Sequence, residues 1–565
     1  MNVIRFRLFI LKVIFALIFF VIWGRLIYLQ VIRYDFFKKR SDYQVSRVVD
    51  IASQRGTVYD REKVPLAIMR PVYSAYAVPI EIENKGVFAA KVARLLGLSA
   101  QDLSRKIRPG SSFVWIRRKL SEESYQALLH LDLKGLRFVE ENERVYPTNE
   151  LASHLIGFVG IDNQGLGGVE FQYDDHLKGK AGKWVLEGDP RGYKILSGQN
   201  KVIAPSAPGG HLILTIDRRV QYFAEKYLKA GVENSLAAGG QVVVMVPKTG
   251  EILAMAAYPP FNPNSWSKSP GDVLRNPCVT DVFEPGSVFK MVILSAALEE
   301  QIVTPGQVIV VPETIQVGGK VVREAHHREP GESDYRTVTE ILQKSLNVGT
   351  SILADRVGRE RFYAYIRKFG FGKRSGVNLP GESRGLIRPL KYWTSIDNAT
   401  ASYGQGVGVS AIQLIAAVNV VANDGIWMVP KVVRYQANDD ETQLSNPYPD
   451  DKKRVISEKT AHQVRDMMIS VVERGTAKDL KIPHVEIAAK TGTAQKSSMG
   501  GRGYIDGHYL STFVGFFPAK SPQYLILVMV DSPKTSIWGS TVAGPIFRNI
   551  AMALLYGYQI PDDGL

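Results

Sequence analysis

The stretch Glu284-Pro-Gly-Ser287-Val-Phe-Lys290 introduces the run VFKMVILSAAL, residues 288–298. Pro285 and Gly286 punctuate the backbone, and the run after Ser287 is apolar on nearly every face. That pattern describes a helix buried at the centre of a domain. The spacing predicts Ser287 in the first helical turn and Lys290, at i+3, on the same face. A serine nucleophile needs a base within hydrogen-bond reach, and a lysine there supplies one. The helix N-terminus adds a positive field and free N–H groups suited to a developing oxyanion. Field and burial together lower a lysine toward the pKa of a general base. A second Ser-x-x-Lys, Ser265-Trp-Ser-Lys268, lies in the loop FNPNSWSKSPGD with no helix behind it, and reads as coincidence.

Two further elements come later in the chain. Lys344-Ser345-Leu346-Asn347 comes after a capping box, Thr337-x-x-Glu340, and the short helical stretch EILQK. Ser345 and Asn347, two apart on an irregular segment, point to the same side, where they can relay protons and hold an amide carbonyl. Lys490-Thr491-Gly492-Thr493 ends the strand-like VEIAA. Gly492 lets a ligand approach the strand backbone, and Lys490 with the two hydroxyls suits a carboxylate. A decoy, Lys248-Thr249-Gly250, precedes Ser287 and reads as a hairpin turn.

The surroundings predict a layered α/β (α+β) domain. His211–Ile216 is strand-like and Arg218–Leu236 helical. Gln241–Tyr258 reads as two β runs around Pro247-Lys-Thr-Gly250. Helices dominate to about residue 475. Strands return at Val485–Ala489, Thr512–Phe517 and Tyr524–Val530, and a final helix covers Ala543–Leu555. Gly404-x-Gly406-x-Gly408 lacks the strand and downstream acid of a nucleotide loop. It reads as a tight turn, capped by Ser410, into the helix Ala411–Asn423. His326-His327 lack a third ligand at useful spacing, so no metal site is expected there. Ser498–Gly507 reads as a loop at the cleft edge. Before the Pro/Gly-rich junction Ala204-Pro-Ser-Ala-Pro-Gly-Gly210, residues 41–208 mix short β runs (Val45–Ile51, Tyr73–Val78) with amphipathic helices (Val87–Leu98, Glu122–Leu131).

At the N-terminus, Leu8–Trp23 reads LFILKVIFALIFFVIW, and Phe6–Ile32 supplies the ~20 apolar residues a spanning helix needs. No small-x-small cleavage site comes after it, so the segment reads as an uncleaved anchor. The chain has 565 residues, 45% hydrophobic and 22% charged, too apolar for a disordered protein. One cysteine, Cys278, excludes a disulfide scaffold. The net charge of +15 admits nucleic acid, an anionic membrane or an acidic polymer as partner. Nine Lys+Arg against three Asp in the first 50 residues place much of that excess beside the anchor, on both sides of it. It therefore favours a membrane surface over nucleic acid and does not report orientation.

Ser-x-x-Lys, Ser-x-Asn and Lys-Thr-Gly, in that order, form the arrangement of penicillin-binding proteins and serine β-lactamases. Along nearly its whole length the chain resembles class B penicillin-binding proteins, and most of all their division-specific branch, the FtsI type. Thr280-Asp-Val-Phe-Glu-Pro-Gly-Ser287 and Leu342-Gln-Lys-Ser-Leu-Asn-Val-Gly349 carry the resemblance. So do Ala152-x-His154-Leu-Ile-Gly157-Phe158, Gly165-x-x-Gly168-Val-Glu170, Tyr403-Gly404-Gln-Gly406 and Asn262-Pro-Asn264. Arg55-Gly56-x-x-x-Asp60-Arg61 matches the first non-catalytic motif, with Glu62-Lys63 where the family usually has Asn-Gly. Pro277-Cys278 is a second departure.

The resemblance implies an anchor over residues 1–40, a non-catalytic pedestal of dimerisation type over 41–208, and a penicillin-binding transpeptidase domain over 209–565. It implies a periplasmic body on a single-pass inner-membrane helix, located at the division septum. The implied reaction cross-links peptidoglycan stem peptides through an acyl-enzyme on Ser287, releasing D-alanine, with β-lactams as covalent inhibitors and no cofactor or metal. By the same resemblance Lys290 is the base, and Ser345 and Asn347 serve proton transfer and positioning. Lys490, Thr491, Gly492 and Thr493 bind the stem, and the N–H groups of Ser287 and Thr493 form the oxyanion hole. Implied partners are a SEDS-type glycosyltransferase (FtsW type) and divisome proteins. The alternatives are an elongation-specific class B transpeptidase and a D,D-carboxypeptidase or β-lactamase-like hydrolase. A non-enzymatic scaffold is disfavoured by the intact triplets.

Overall fold

The computed structural model describes residues 2–51, 53–108, 111, 113–187, 201–325, 331–438, 440, 442, 444–448, 452–497 and 503–557. His326-His327 and residues 498–502 of the cleft-edge loop lie outside the described residues. The chain forms two compact units, one of residues 1–54, 71–141 and 179–208, the other of 55–70, 142–178 and 209–565.

The smaller unit begins with helix α1 (Asn2–Ile27), followed by a π-helical turn, Tyr28–Ile32. Val3–Ile32 is long and apolar enough to cross a membrane, and its apolar side chains are exposed. Three further helices, Lys85–Leu96, Ala100–Lys106 and Glu122–Leu129, start at Asn84, Ser99 and Ser121, whose side chains accept from backbone N–H groups of the first turn. They bury Phe88, Val92, Leu103 and Leu128 in a small core with Ala75 and Ala77.

The larger unit is built on a five-stranded antiparallel sheet. Its strands are β1 (Gly239–Met245), β2 (Ile252–Tyr258), β3 (Ala488–Ser497), β4 (Tyr504–Phe517) and β5 (Tyr524–Asp531). Their order is β2-β1-β5-β4-β3, so β3 is an edge. Helices α2 (Arg218–Asn234) and α3 (Lys290–Glu299) lie on opposite faces. On the α2 face, a Cβ at Gly240 would meet Leu228 and Val232 of that helix. On the other, a Cβ at Gly492 would meet Val288, just ahead of α3. Helices on both faces explain why β1 is buried at every position and why Val242–Met245 is a continuous apolar run rather than an alternating one. The β1–β2 hairpin forms as expected, with its turn at Pro247–Gly250 and Lys248 Nζ donating to Asp424 Oδ2 at 2.5 Å. The decoy lysine is thus tied up at the surface.

Residues Lys290–Leu298 of α3 are all buried, as the apolar run requires. The structure departs from the sequence expectation at the start of this helix. Ser287 sits in a 3₁₀ turn, Gly286–Phe289, and the α-helix begins only at Lys290. The strand carrying Lys490 also runs further than its apolar pattern suggests. Lys490, Thr491, Gly492 and Thr493 pair with Val514, Phe513, Thr512 and Ser511 of β4, so the triplet lies within β3. Cross-strand pairing overrides the weak strand propensity of Lys and Gly there.

Segments 55–70 and 142–178 belong to the larger unit, and a buried ionic cluster ties them to each other. Glu170 accepts from Arg55 Nε and from Arg144 Nε, both at 2.7 Å, and Arg55 also reaches Asp174 at 2.6 Å. Val58–Tyr59 pairs in parallel with His211–Leu214.

Candidate active site

Four elements distant in sequence converge beside α3. The Ser287 turn is the first. Gly286 adopts φ +55°, a backbone conformation a side chain strains, and its N–H donates to Gly404 O at 3.3 Å. Gly404 is itself at φ +79°, and a Cβ there would lie 2.2 Å from Gly286 O. The Tyr403–Gly406 loop therefore packs backbone to backbone on the turn. Glu284 Oε1 accepts from Gly406 N at 2.8 Å, which ties the same loop down a second time.

The second element comes after α4 (Val338–Gln343), whose capping box joins Thr337 and Glu340. There Ser345 takes φ +60°, unusual for a residue with a side chain. That conformation turns its carbonyl and hydroxyl the same way. Lys290 Nζ donates to Ser345 O at 2.5 Å, to Ser345 Oγ at 3.3 Å and to Asn347 Oδ1 at 2.8 Å. Asn347 is the first residue of α5 (Asn347–Val357).

Strand β3 is the third. Lys490 Nζ donates to Ser345 Oγ at 2.9 Å and to Thr491 O at 2.9 Å. Thr491 Oγ1 lies 3.0 Å from Thr476 Oγ1, and Thr493 Oγ1 accepts from Gly539 N at 3.3 Å. Gly492 is required by packing: a Cβ would come within 3.1 Å of Pro285 O. The fourth element is the start of the C-terminal helix α6 (Gly539–Tyr556). A Cβ at Gly539 would sit 2.3 Å from Thr512 O and 2.5 Å from Gly492 O. A cavity of about 320 Å³ opens between these elements, lined by Ser287, Ser345, Thr491, Thr493, Thr476 and Trp538 among others.

Lys290 and Lys490 are both fully buried. Burial lowers the Lys290 pKa to about 7, with Glu324 pulling the other way. Lys490 is held well below the usual lysine range, by burial first and then by Lys290. Two ammonium groups sharing one hydroxyl resist double protonation, so a neutral amine is available in the site at neutral pH. Such an amine can accept a proton, and the polar cavity can hold a small anionic ligand.

All eight residues singled out from the sequence, Ser287, Lys290, Ser345, Asn347, Lys490, Thr491, Gly492 and Thr493, lie at this one site. Lys290 is three residues after Ser287, and the hydrogen bonds of its ammonium go to Ser345 and Asn347. Ser265 lies elsewhere, in the 3₁₀ turn Pro263–Lys268. There Asn264 exchanges hydrogen bonds with the Tyr146 backbone at 2.9 Å and Trp266 Nε1 donates to Val159 O at 3.0 Å. Sequence reasoning missed Thr476, Trp538, Gly539 and Glu324. None carries a local signal, because each reaches the site only through the fold.

Residues 240–552 match the penicillin binding protein transpeptidase domain, and residues 50–214 the penicillin-binding protein dimerisation domain. The chain is 34% identical to stage V sporulation protein D of Bacillus subtilis over 97% of its own length and 85% of the relative's. It is 34% identical to the probable peptidoglycan D,D-transpeptidase PenA of Neisseria meningitidis, over 95% and 90%. It is 32% identical to the peptidoglycan D,D-transpeptidase FtsI of Escherichia coli, over 99% and 93%. Penicillin binding protein 3 of Mycobacterium tuberculosis, solved with aztreonam, superposes with a TM-score of 0.71 at 30% identity, over 91% of this chain and 98% of that one. With a transpeptidase domain behind a dimerisation domain, and relatives named as D,D-transpeptidases matched along almost the whole chain, this protein belongs to the class B penicillin-binding proteins and is an enzyme of their D,D-transpeptidase type.

Proposed function

We propose that Ser287 is the nucleophile of a peptidoglycan D,D-transpeptidase acting at the division septum. The observation that carries the reading is the convergence of Lys290, Ser345, Asn347 and Lys490 within hydrogen-bond distance around a cavity lined by Ser287. Neutral Lys290 takes the Ser287 proton as Oγ attacks the carbonyl between the last two D-alanines of a stem. Ser287 N–H and Thr493 N–H hold the resulting oxyanion. The packing of Gly286 against Thr493 supports that pairing, since a Cβ on Gly286 would lie 2.9 Å from Thr493 O.

The stem's terminal carboxylate binds Thr491, Thr493 and Lys490. Its negative charge stabilises a proton on Lys490, which in turn keeps Lys290 neutral. As the tetrahedral intermediate collapses, the C–N bond breaks. Ser345 passes a proton from the lysine pair to the leaving D-alanine amine, and Asn347 holds the stem. An amine from a neighbouring stem then attacks the ester, the Ser287 Oγ–acyl bond breaks, and Ser287 recovers its proton from the amine through Lys290. A β-lactam takes the first half of this course and stops at the acyl-enzyme.

The same reading makes residues 1–40 an inner-membrane anchor, 41–208 a periplasmic pedestal and 209–565 the catalytic domain. The partners it brings are an FtsW-type glycosyltransferase and other divisome proteins. Covalent labelling by a fluorescent penicillin tests it. Ser287→Ala is expected to abolish labelling. Labelling that survives Ser287→Ala and is lost with Ser265→Ala would overturn the assignment. Filaments on depletion support division, and spheres would support elongation instead.

A further inference from the structure

Glu324 comes directly after the strand Lys320–Arg323, which forms a two-stranded hairpin with Thr314–Val317. Its carboxylate accepts from Asn347 N at 2.5 Å and from Val348 N at 3.0 Å. These N–H groups open α5, where the helix offers them no internal partner. One residue back, Arg323 O accepts from Asn347 Nδ2 at 3.2 Å. A carbonyl against the amide nitrogen fixes the amide's sense, so Oδ1 is the atom that faces Lys290 Nζ, at 2.8 Å. We propose that Glu324 is a positioning residue for acyl transfer: its carboxylate clamps the start of α5 and, with the Arg323 carbonyl, aims Asn347 Oδ1 at the Lys290 ammonium.

The inference rests on the reading of Lys290 as the base for Ser287. Charge gives Glu324 a second effect. Among the described residues, the charged groups facing Lys290 are Lys490, from β3 through Ser345 Oγ, and Glu324, from the hairpin. Tyr403, from the loop over Gly286, also lies in the field of Glu324 and is pushed up to about 12 by burial and then by that carboxylate, so it stays neutral. Of these, Glu324 is the group that opposes the effect of burial on Lys290. Removing its charge makes the Lys290 ammonium easier to deprotonate. A neutral group capping the helix from the same place would leave that equilibrium where it is.

The test is the rate of acylation by a fluorescent penicillin, followed against pH on the full chain in detergent, with the labelled peptide identified by mass. Glu324→Gln is expected to lower the plateau rate by roughly tenfold or more, the cost of a misaimed group in the site. Its acid limb is expected to move to lower pH than that of the wild type. Glu324→Asp, which keeps the charge on a shorter stem, is expected to keep the wild-type acid limb with a lowered plateau. A Glu324→Gln profile superimposable on the wild type, or a lowered plateau with an unmoved acid limb, overturns the inference. If Glu324→Gln does not fold, a wild-type plateau in Glu324→Asp overturns it and a lowered one with the wild-type limb supports it. Wild-type label found on a residue other than Ser287 overturns the proposed function instead.

Discussion

Lys490 donates to the hydroxyl of Ser345 at 2.9 Å across 145 positions of sequence, and Lys290 reaches the same oxygen at 3.3 Å. One hydroxyl thus joins the three sequence triplets. Its left-handed backbone is the device that makes this possible, since an ordinary helical Ser345 would carry its carbonyl and hydroxyl elsewhere.

With Lys290 as the proposed base, its proton state is expected to set the pH dependence of acylation. The neutral amine is the active form, so the rate is expected to rise as pH passes upward through about 7 and to be lost below it. Lys290→Arg, whose guanidinium stays charged, is expected to abolish acylation at every pH. Penicillin-labelling rates across pH check both.

Lys490→Ala removes the donor to Ser345 and the cation for the stem carboxylate. It also removes a buried ammonium whose desolvation costs stability. Acylation is therefore expected to slow by roughly tenfold or more, while Tm moves little. Labelling kinetics and thermal melts on the same preparation check this, and a folded, fully active variant would refute it.

Gly404→Ala places a Cβ 2.2 Å from Gly286 O at a φ of +79°. The left-handed backbone alone costs a residue with a side chain ~1–2 kcal/mol. The clash displaces either the loop or the Ser287 turn. Both a lower Tm and slower labelling are expected, whereas Gly271→Ala, with open space around its Cβ, is expected to leave both unchanged.

Glu170→Ala takes the carboxylate from the guanidinium of Arg144, which is 0% exposed, and leaves Arg55, 2% exposed, with Asp174 alone. Breaking a buried pair of this kind costs ~3–5 kcal/mol. The expected result is a clear fall in the urea midpoint for loss of penicillin binding, with normal acylation kinetics in the absence of urea.

Short-range features of this protein are legible in the order of its residues. The β1–β2 hairpin, the Thr337–Glu340 cap and the buried helix behind Ser287 each arise from neighbouring residues, since turn chemistry, capping and apolar period act over a few positions. The same holds for Ser410, which caps the helix Ala411–Ala422 through a box with Gln413. The three triplets that meet at the site were legible because each is a compact string.

How those strings meet is set by the tertiary fold alone. Lys-Thr-Gly lies inside a strand because β4 supplies its ladder, a partner no local pattern announces. Ser287 occupies a 3₁₀ turn whose Gly286 N–H donates to Gly404 O, more than a hundred residues away in sequence. Segments 55–70 and 142–178 meet because Glu170 pairs with both Arg55 and Arg144, and 55–70 is joined to the later chain by the pairing of Val58–Tyr59 with His211–Leu214. Glu324, Thr476 and Gly539 reach the site through contacts that span long stretches of chain. Such contacts depend on which surfaces the folded chain brings together, and no stretch of neighbouring residues records that.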